Sequence, residues 1–179
     1  MDMTTKRNNI KKRSKINNLE KPPVWNLSDL YSSTDSKKIL IDLEFIKNSS
    51  KKFEKEYEGK IRKISSNNFY KAIIQYEIID EKIDRILSYA QLLYSENLEN
   101  ESNKIFLQNM QEKITKYSSS LLFFHLEINE LSDKQIKLLF KNEILKKFKT
   151  WVYNLRSFKP YQLEKKIENL MHDKNITSN

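Results

Sequence analysis

Apolar residues recur every three or four positions across the middle of the chain, at Leu107, Met110, Ile114, Tyr117, Leu121, Phe124, Ile128 and Leu131. Steps that alternate between three and four draw one stripe along a helix, so the pattern predicts a single long helix starting near Asn103. A stripe of that length needs an antiparallel neighbour to cover it. The preceding stretch supplies one. Phe69, Ala72, Ile73, Tyr76, Ile79, Ile83, Ile86, Leu87, Ala90 and Leu93 keep helical spacing, and Ser65 is placed to cap their helix.

Shorter periodic segments flank this pair. Leu40, Leu43, Ile46, Phe53 and Tyr57 predict a first helix that begins near Asp35, whose carboxylate can accept from the free amides of the next turn. Gly59 should end it, because only glycine takes a left-handed C-cap without a Cβ clash. Ser132-Asp133-Lys134-Gln135 has the form of a capping box and predicts a short fourth helix carrying Ile136, Leu138, Leu139 and Phe140. Asn142 is expected to start a fifth with Leu145, Phe148, Trp151, Val152 and Leu155 inside, stopped by Pro160. Ile167, Leu170 and Met171 mark a last short helix. The expected fold is all-α: an antiparallel bundle of five to six helices. One glycine and three prolines in 179 residues agree, since a sheet-rich fold would need more turn residues.

Charge changes the picture only at the N-terminus. Residues 1–21 hold seven basic residues against Asp2 and Glu20, a large part of the formal +9. With almost no apolar side chains, residues 1–20 read as a disordered basic leader ahead of a helical domain at 21–177. A solvated arm is the plain interpretation. No zinc-finger or ribonucleoprotein pattern accompanies it, so specific nucleic-acid binding is not expected. The longest apolar run is Leu121-Leu122-Phe123-Phe124, too short for a membrane span, and the leader lacks the apolar stretch of a secretory signal. The chain has no cysteine, which fits a reducing compartment; a cytoplasmic location is expected.

Candidate chemistry is sparse. His125 and His172 are far apart and neither is followed by Glu. Glu127 and Glu130 follow His125 at spacings that put them on different faces of a helix, so His125 reads as a structural residue and not as a ligand. Glu77, Asp80, Glu81 and Asp84 form an acidic stripe that reads as a solvated face.

Side-chain identities say more than the periodicity. Trp25-Asn26-Leu27-Ser28-Asp29-Leu30-Tyr31 opens the helical region and Leu155-Arg156-Ser157-Phe158-Lys159-Pro160-Tyr161-Gln162-Leu163 closes its last long helix. Between them stand Tyr57-Glu58-Gly59-Lys60, Tyr76-Glu77 with Ser88-Tyr89-Ala90, and Leu122-Phe123-Phe124 with Leu126-Glu127. In this order and spacing the chain, over about residues 24–177, resembles the N-terminal helical region of the oligoendopeptidase F family of zinc metallopeptidases. The resemblance implies a helical lobe that walls the cavity above a catalytic domain. It also implies oligopeptide hydrolysis by that domain, on zinc held by a His-Glu-x-x-His helix. This sequence contains no such helix, so no catalytic or metal position carries over, and no cofactor is expected in this chain. The expected function is that of the substrate-enclosing lobe, truncated before the catalytic motif, inactive alone, and partnered by a catalytic metallopeptidase domain in cis or in trans. The alternatives are a stand-alone helical interaction module, and a basic-tailed non-specific binder of nucleic acid or membrane surfaces. Trp25, Leu30 and Tyr31 at one end and Trp151, Phe158 and Tyr161 at the other are the candidate docking residues, as aromatic anchors tend to dominate interfaces.

Overall fold

A computed structural model of the protein describes residues 25–161, among which six α-helices and four 3-10 turns form an all-α bundle without strands. The basic leader, the short helix expected around Ile167 to Met171, and the side chain of Tyr161 lie outside the described residues.

The first helix, α1, runs over Lys37–Tyr57. It starts near Asp35 as expected, but without the expected cap: Ser36 is the boundary residue and makes no side-chain cap, while the Asp35 carboxylate is bonded by the Ser33 hydroxyl. Its inner face also differs by one residue. Ile39 is 2% exposed and Leu40 is 63% exposed. Leu43, Ile46, Phe53 and Tyr57 define the buried stripe, and Ile39, four residues before Leu43, lies on it; Leu40 is turned away by about 100°. The helix ends as expected, with Gly59 at a φ of +75°, where a side chain would be strained.

A 3-10 turn over Ile61–Lys63 leads to Ser65, whose hydroxyl accepts from the Asn68 amide and opens α2, Ser66–Glu96. Its 31 residues span about 46 Å. Asn100 caps α3, Glu101–Ser118, and the Asn103 amide side chain donates back to the Leu93 carbonyl at 3.0 Å. This short connection lays α3 antiparallel against α2, as the two long apolar stripes require.

The stripe predicted as one helix is built from two. After Ser118 the chain tightens into a 3-10 turn over Ser119–Leu121 and resumes as α4, Leu122–Glu130. The cause is local. The Ser119 hydroxyl donates to the Lys116 carbonyl at 2.9 Å and that of Thr115 to the Gln111 carbonyl at 2.7 Å, and such back-bonding bends helices. The apolar stripe survives the bend: Leu107, Met110, Ile114, Leu121, Phe124, Ile128 and Leu131 are all buried.

Ser132 and Gln135 form the complete capping box, opening α5 over Asp133–Leu139; Ile136 and Leu139 point inward, while Leu138 is exposed. Asn142 starts the next element as expected, but that element is a 3-10 helix over Glu143–Phe148, followed by α6 over Lys149–Ser157. Pro160 then sits in a last 3-10 turn, Lys159–Tyr161. Phe124 is the hub of the core, with the rings of Phe53 at 5.1 Å, Tyr76 at 5.3 Å, and Phe69 and Trp151 at 6.4 Å. Among the described residues no helix is long and apolar enough to cross a membrane.

Candidate functional site

The leading segment folds on itself before it meets the bundle. The amides of Leu30 and Tyr31 both donate to the Leu27 carbonyl, a turn that swings Tyr31 inward. Tyr31 is 2% exposed, packs edge-on against Tyr89 at 5.4 Å, and donates its hydroxyl to Asp42 Oδ2 at 2.9 Å. Lys82 from α2 bonds the other oxygen of Asp42. Burial alone would raise the Asp42 carboxyl, but the bonds from Lys82 and Tyr31 hold it below the usual carboxylate range. Burial and the adjacent carboxylate push the Tyr31 hydroxyl well above the ordinary tyrosine value. Tyr31 is therefore an internal tie between the leading segment, α1 and α2, and not a docking residue. Leu30 is half-buried against the same core, and only Trp25 of the three is truly exposed.

The trailing candidates divide in the same way. Trp151 is packed among Tyr76 at 6.1 Å, His125 at 6.1 Å and Phe124, so it belongs to the edge of the core. Phe158, 67% exposed, remains a surface residue. Tyr31 packs on Tyr89 and Trp151 on Tyr76, thirteen residues apart on α2, so the two groups are separated by about 20 Å along that helix and do not make one face.

His125 points into an aromatic corner, its ring 5.1 Å from that of Tyr76, with Nε2 buried and without a hydrogen-bond partner among the described residues. Burial pushes its pKa down. Beside it the Tyr76 hydroxyl bonds Asp80, whose carboxyl is raised by burial and by the nearby Asp84. The two glutamates after His125 are engaged elsewhere: Glu127 accepts from the Gly59 and Ile61 amides, and Glu130 pairs with Arg62 at 3.4 Å. Zinc needs several His, Cys or carboxylate donors converging on one point. Among the described residues no group of three such side chains is placed to hold a metal, and the surroundings of His125 do not fit one.

Two features escaped the sequence reading. Leu40, Ile41 and Phe45 on α1 form an exposed apolar surface edged by Glu44 and Asn48, and Phe45 continues it to Ile78 on α2. Its signal was the triplet Ile39-Leu40-Ile41, of which a helix can bury only part. The second is the bonding role of Arg156. Its Nη1 donates to the carbonyls of Ile128 at 2.8 Å and Leu131 at 2.7 Å, and its Nη2 pairs with Asp133 at 2.7 Å. It thereby fastens α6 to the end of α4 and the start of α5.

No curated protein and no solved structure matches the chain. Residues 127–179 match the family model described as Oligopeptidase F; the match reaches the Leu155–Leu163 block and leaves Trp25–Tyr31 outside it. Over residues 127–179 the chain is similar to oligopeptidase F, the family whose N-terminal region it resembles in sequence.

Proposed function

We propose that this chain is the substrate-enclosing helical lobe of an oligoendopeptidase F-like zinc metallopeptidase. The observation that carries the reading is the family match over residues 127–179, a segment tied to the rest of the bundle by Glu127 and fastened within itself by Arg156. In this reading the lobe is inactive alone. Peptide hydrolysis resides in a catalytic domain with a His-Glu-x-x-His helix, joined in cis or supplied in trans, where zinc would activate water. This chain's own side chains supply walls and contacts. A cytoplasmic site of action suits a chain without cysteine.

The test mixes the chain with a separately produced family catalytic domain. Association by sedimentation, and faster cleavage of quenched peptides by the mixture than by the catalytic domain alone, are the expected results. Failure to associate overturns the reading, as does chelator-sensitive turnover by this chain by itself.

One observation favours a second reading, a self-sufficient interaction module. The Leu40, Ile41, Phe45 and Ile78 surface is apolar and open, and such patches commonly receive partners. A partner that binds there and is lost with Leu40→Ser, while the catalytic domain is ignored, would favour it.

A further inference from the structure

We propose that the surface formed by α5, the 3-10 helix after it and α6 is a docking site for acidic peptide segments that also carry apolar side chains. Charge is divided unevenly along the described residues. Residues 25–132 hold fifteen basic and seventeen acidic residues, whereas residues 133–159 hold eight basic and two acidic ones. Both of those acids are already paired, Asp133 with Arg156 and Glu143 with Lys146. Lys134, Lys137, Lys141, Lys147, Lys149 and Lys159 are exposed and have no carboxylate within ion-pair distance among the described residues.

The lysines do not stand on a plain polar surface. Leu138, Ile144, Tyr153 and Phe158 are exposed among them. The Phe140 and Tyr153 rings meet at 6.3 Å, joining the end of α5 to α6, and Lys149 Nζ lies 5.9 Å over the Tyr153 ring. Lysines alone would serve any polyanion, since ammonium groups pair with phosphate and carboxylate alike. The aliphatic side chains decide the partner. Leu138 and Ile144 gain nothing from a phosphate backbone, but they gain burial against a segment whose own leucines or phenylalanines lie between its acids. Complementary charge would speed encounter and fix register, and apolar burial would supply affinity. This surface is independent of the lobe reading: it can bind with no catalytic domain present, and its failure leaves that reading standing.

Fluorescence anisotropy on the full chain tests it with four probes of about equal length: a peptide of Glu alternating with Leu and Phe, its Lys-for-Glu counterpart, oligo-Glu, and a single-stranded RNA. Two triple variants carry the same change in net charge, K137E/K141E/K149E on the surface and K51E/K52E/K113E away from it. The expected result is tightest binding of the acidic apolar peptide, weakened about tenfold by the first variant and less than about threefold by the second. Leu138→Ser with Phe158→Ser should weaken that peptide and leave oligo-Glu unchanged. Circular dichroism on each variant checks that exposed substitutions leave the fold intact. Equal losses in both triple variants would reduce the effect to net charge and overturn the proposal. Tighter binding of the RNA, or binding of the Lys counterpart at equal strength, would overturn it too, as would no binding at low salt.

Discussion

Glu127 and Gly59 meet at 2.7 Å across 68 residues of sequence, the carboxylate on α4 accepting the amide that follows the end of α1. The other carboxylate oxygen accepts from Ile61 at 3.3 Å, so one side chain satisfies two backbone donors that no helix can reach. Glu127→Ala should cost about 1–3 kcal/mol, the usual cost of leaving such donors unpaired, and Glu127→Gln less. Gly59→Ala meets no neighbouring atom, so its cost should come from the left-handed backbone alone, about 1–2 kcal/mol. Urea unfolding of the three variants measures both; an unchanged midpoint for Glu127→Ala would show the contact to be idle.

Asp42 answers to two donors, and removing it strands both. Asp42→Ala should cost about 3 kcal/mol, because Lys82 is left with most of its charge covered and the Tyr31 hydroxyl unpaired. Tyr31→Phe, which leaves the Lys82 pair in place, should cost about 1 kcal/mol. The folded pKa of Asp42 is depressed, so its contribution is complete above the unfolded value near 3.8 and is lost as pH falls through the lower folded value. Melts of wild type and Asp42→Asn should therefore converge only in strong acid.

Neighbouring residues on α1 give a sharp test of its orientation. Ile39→Asp buries a charge and should unfold a domain whose whole stability is on the order of 5–15 kcal/mol, while Leu40→Asp should leave the melt nearly unchanged. The opposite order would mean that the helix is rotated by one residue.

His125 makes stability depend on pH near neutrality. Its folded pKa lies below 6.5, so as pH falls through 6.5 the unfolded chain takes up a proton that the folded chain refuses. Stability is thus full above that value and declines as pH drops toward the folded pKa. Asp80, raised in the folded state, acts in the opposite sense at lower pH, and Tyr76 remains neutral throughout. Denaturant midpoints from pH 7.5 to 5.5 should slope more steeply for wild type than for His125→Phe; parallel slopes would exclude His125 as the cause.

Arg156→Lys keeps the charge but cannot span Ile128, Leu131 and Asp133 from one planar group. A loss of about 2 kcal/mol is expected by calorimetry, with Asp133→Asn costing less because that carboxylate is 88% exposed.

The features legible in the sequence are those decided within a few residues. Ser65, the Ser132–Gln135 box, Asn142 and Gly59 occupy the expected places because capping is local chemistry, and the buried stripes of α2 and α3 follow from a period that packing has to respect. What was not legible depends on distant partners or on competition at one site. Nothing near Glu127 announces Gly59, and Tyr31 looks like a surface anchor until Asp42 is brought to its hydroxyl. Serines 118–120 kept the apolar spacing intact while the hydroxyls of Ser118 and Ser119 donated to backbone carbonyls, so the helix break was invisible to periodicity. The candidate site suffered most, because exposure, which decides docking, is a property of the assembled bundle.

The bend at Ser119–Leu121 also sets an order of events. The α2–α3 hairpin closes over four residues, Asn97–Asn100, and can form early, since short loops lose little chain entropy. Beyond the bend, α4 packs Phe124 on Tyr76 of α2 and on Phe53 of α1, and Glu127 reaches the α1 exit by a closure over 68 residues. Folding rates should therefore respond to substitutions at Ile86 or Leu107, whereas substitutions at Glu127 should chiefly speed unfolding. The turn thus separates a stretch closed by a short loop from one whose anchoring glutamate is closed only over a long one.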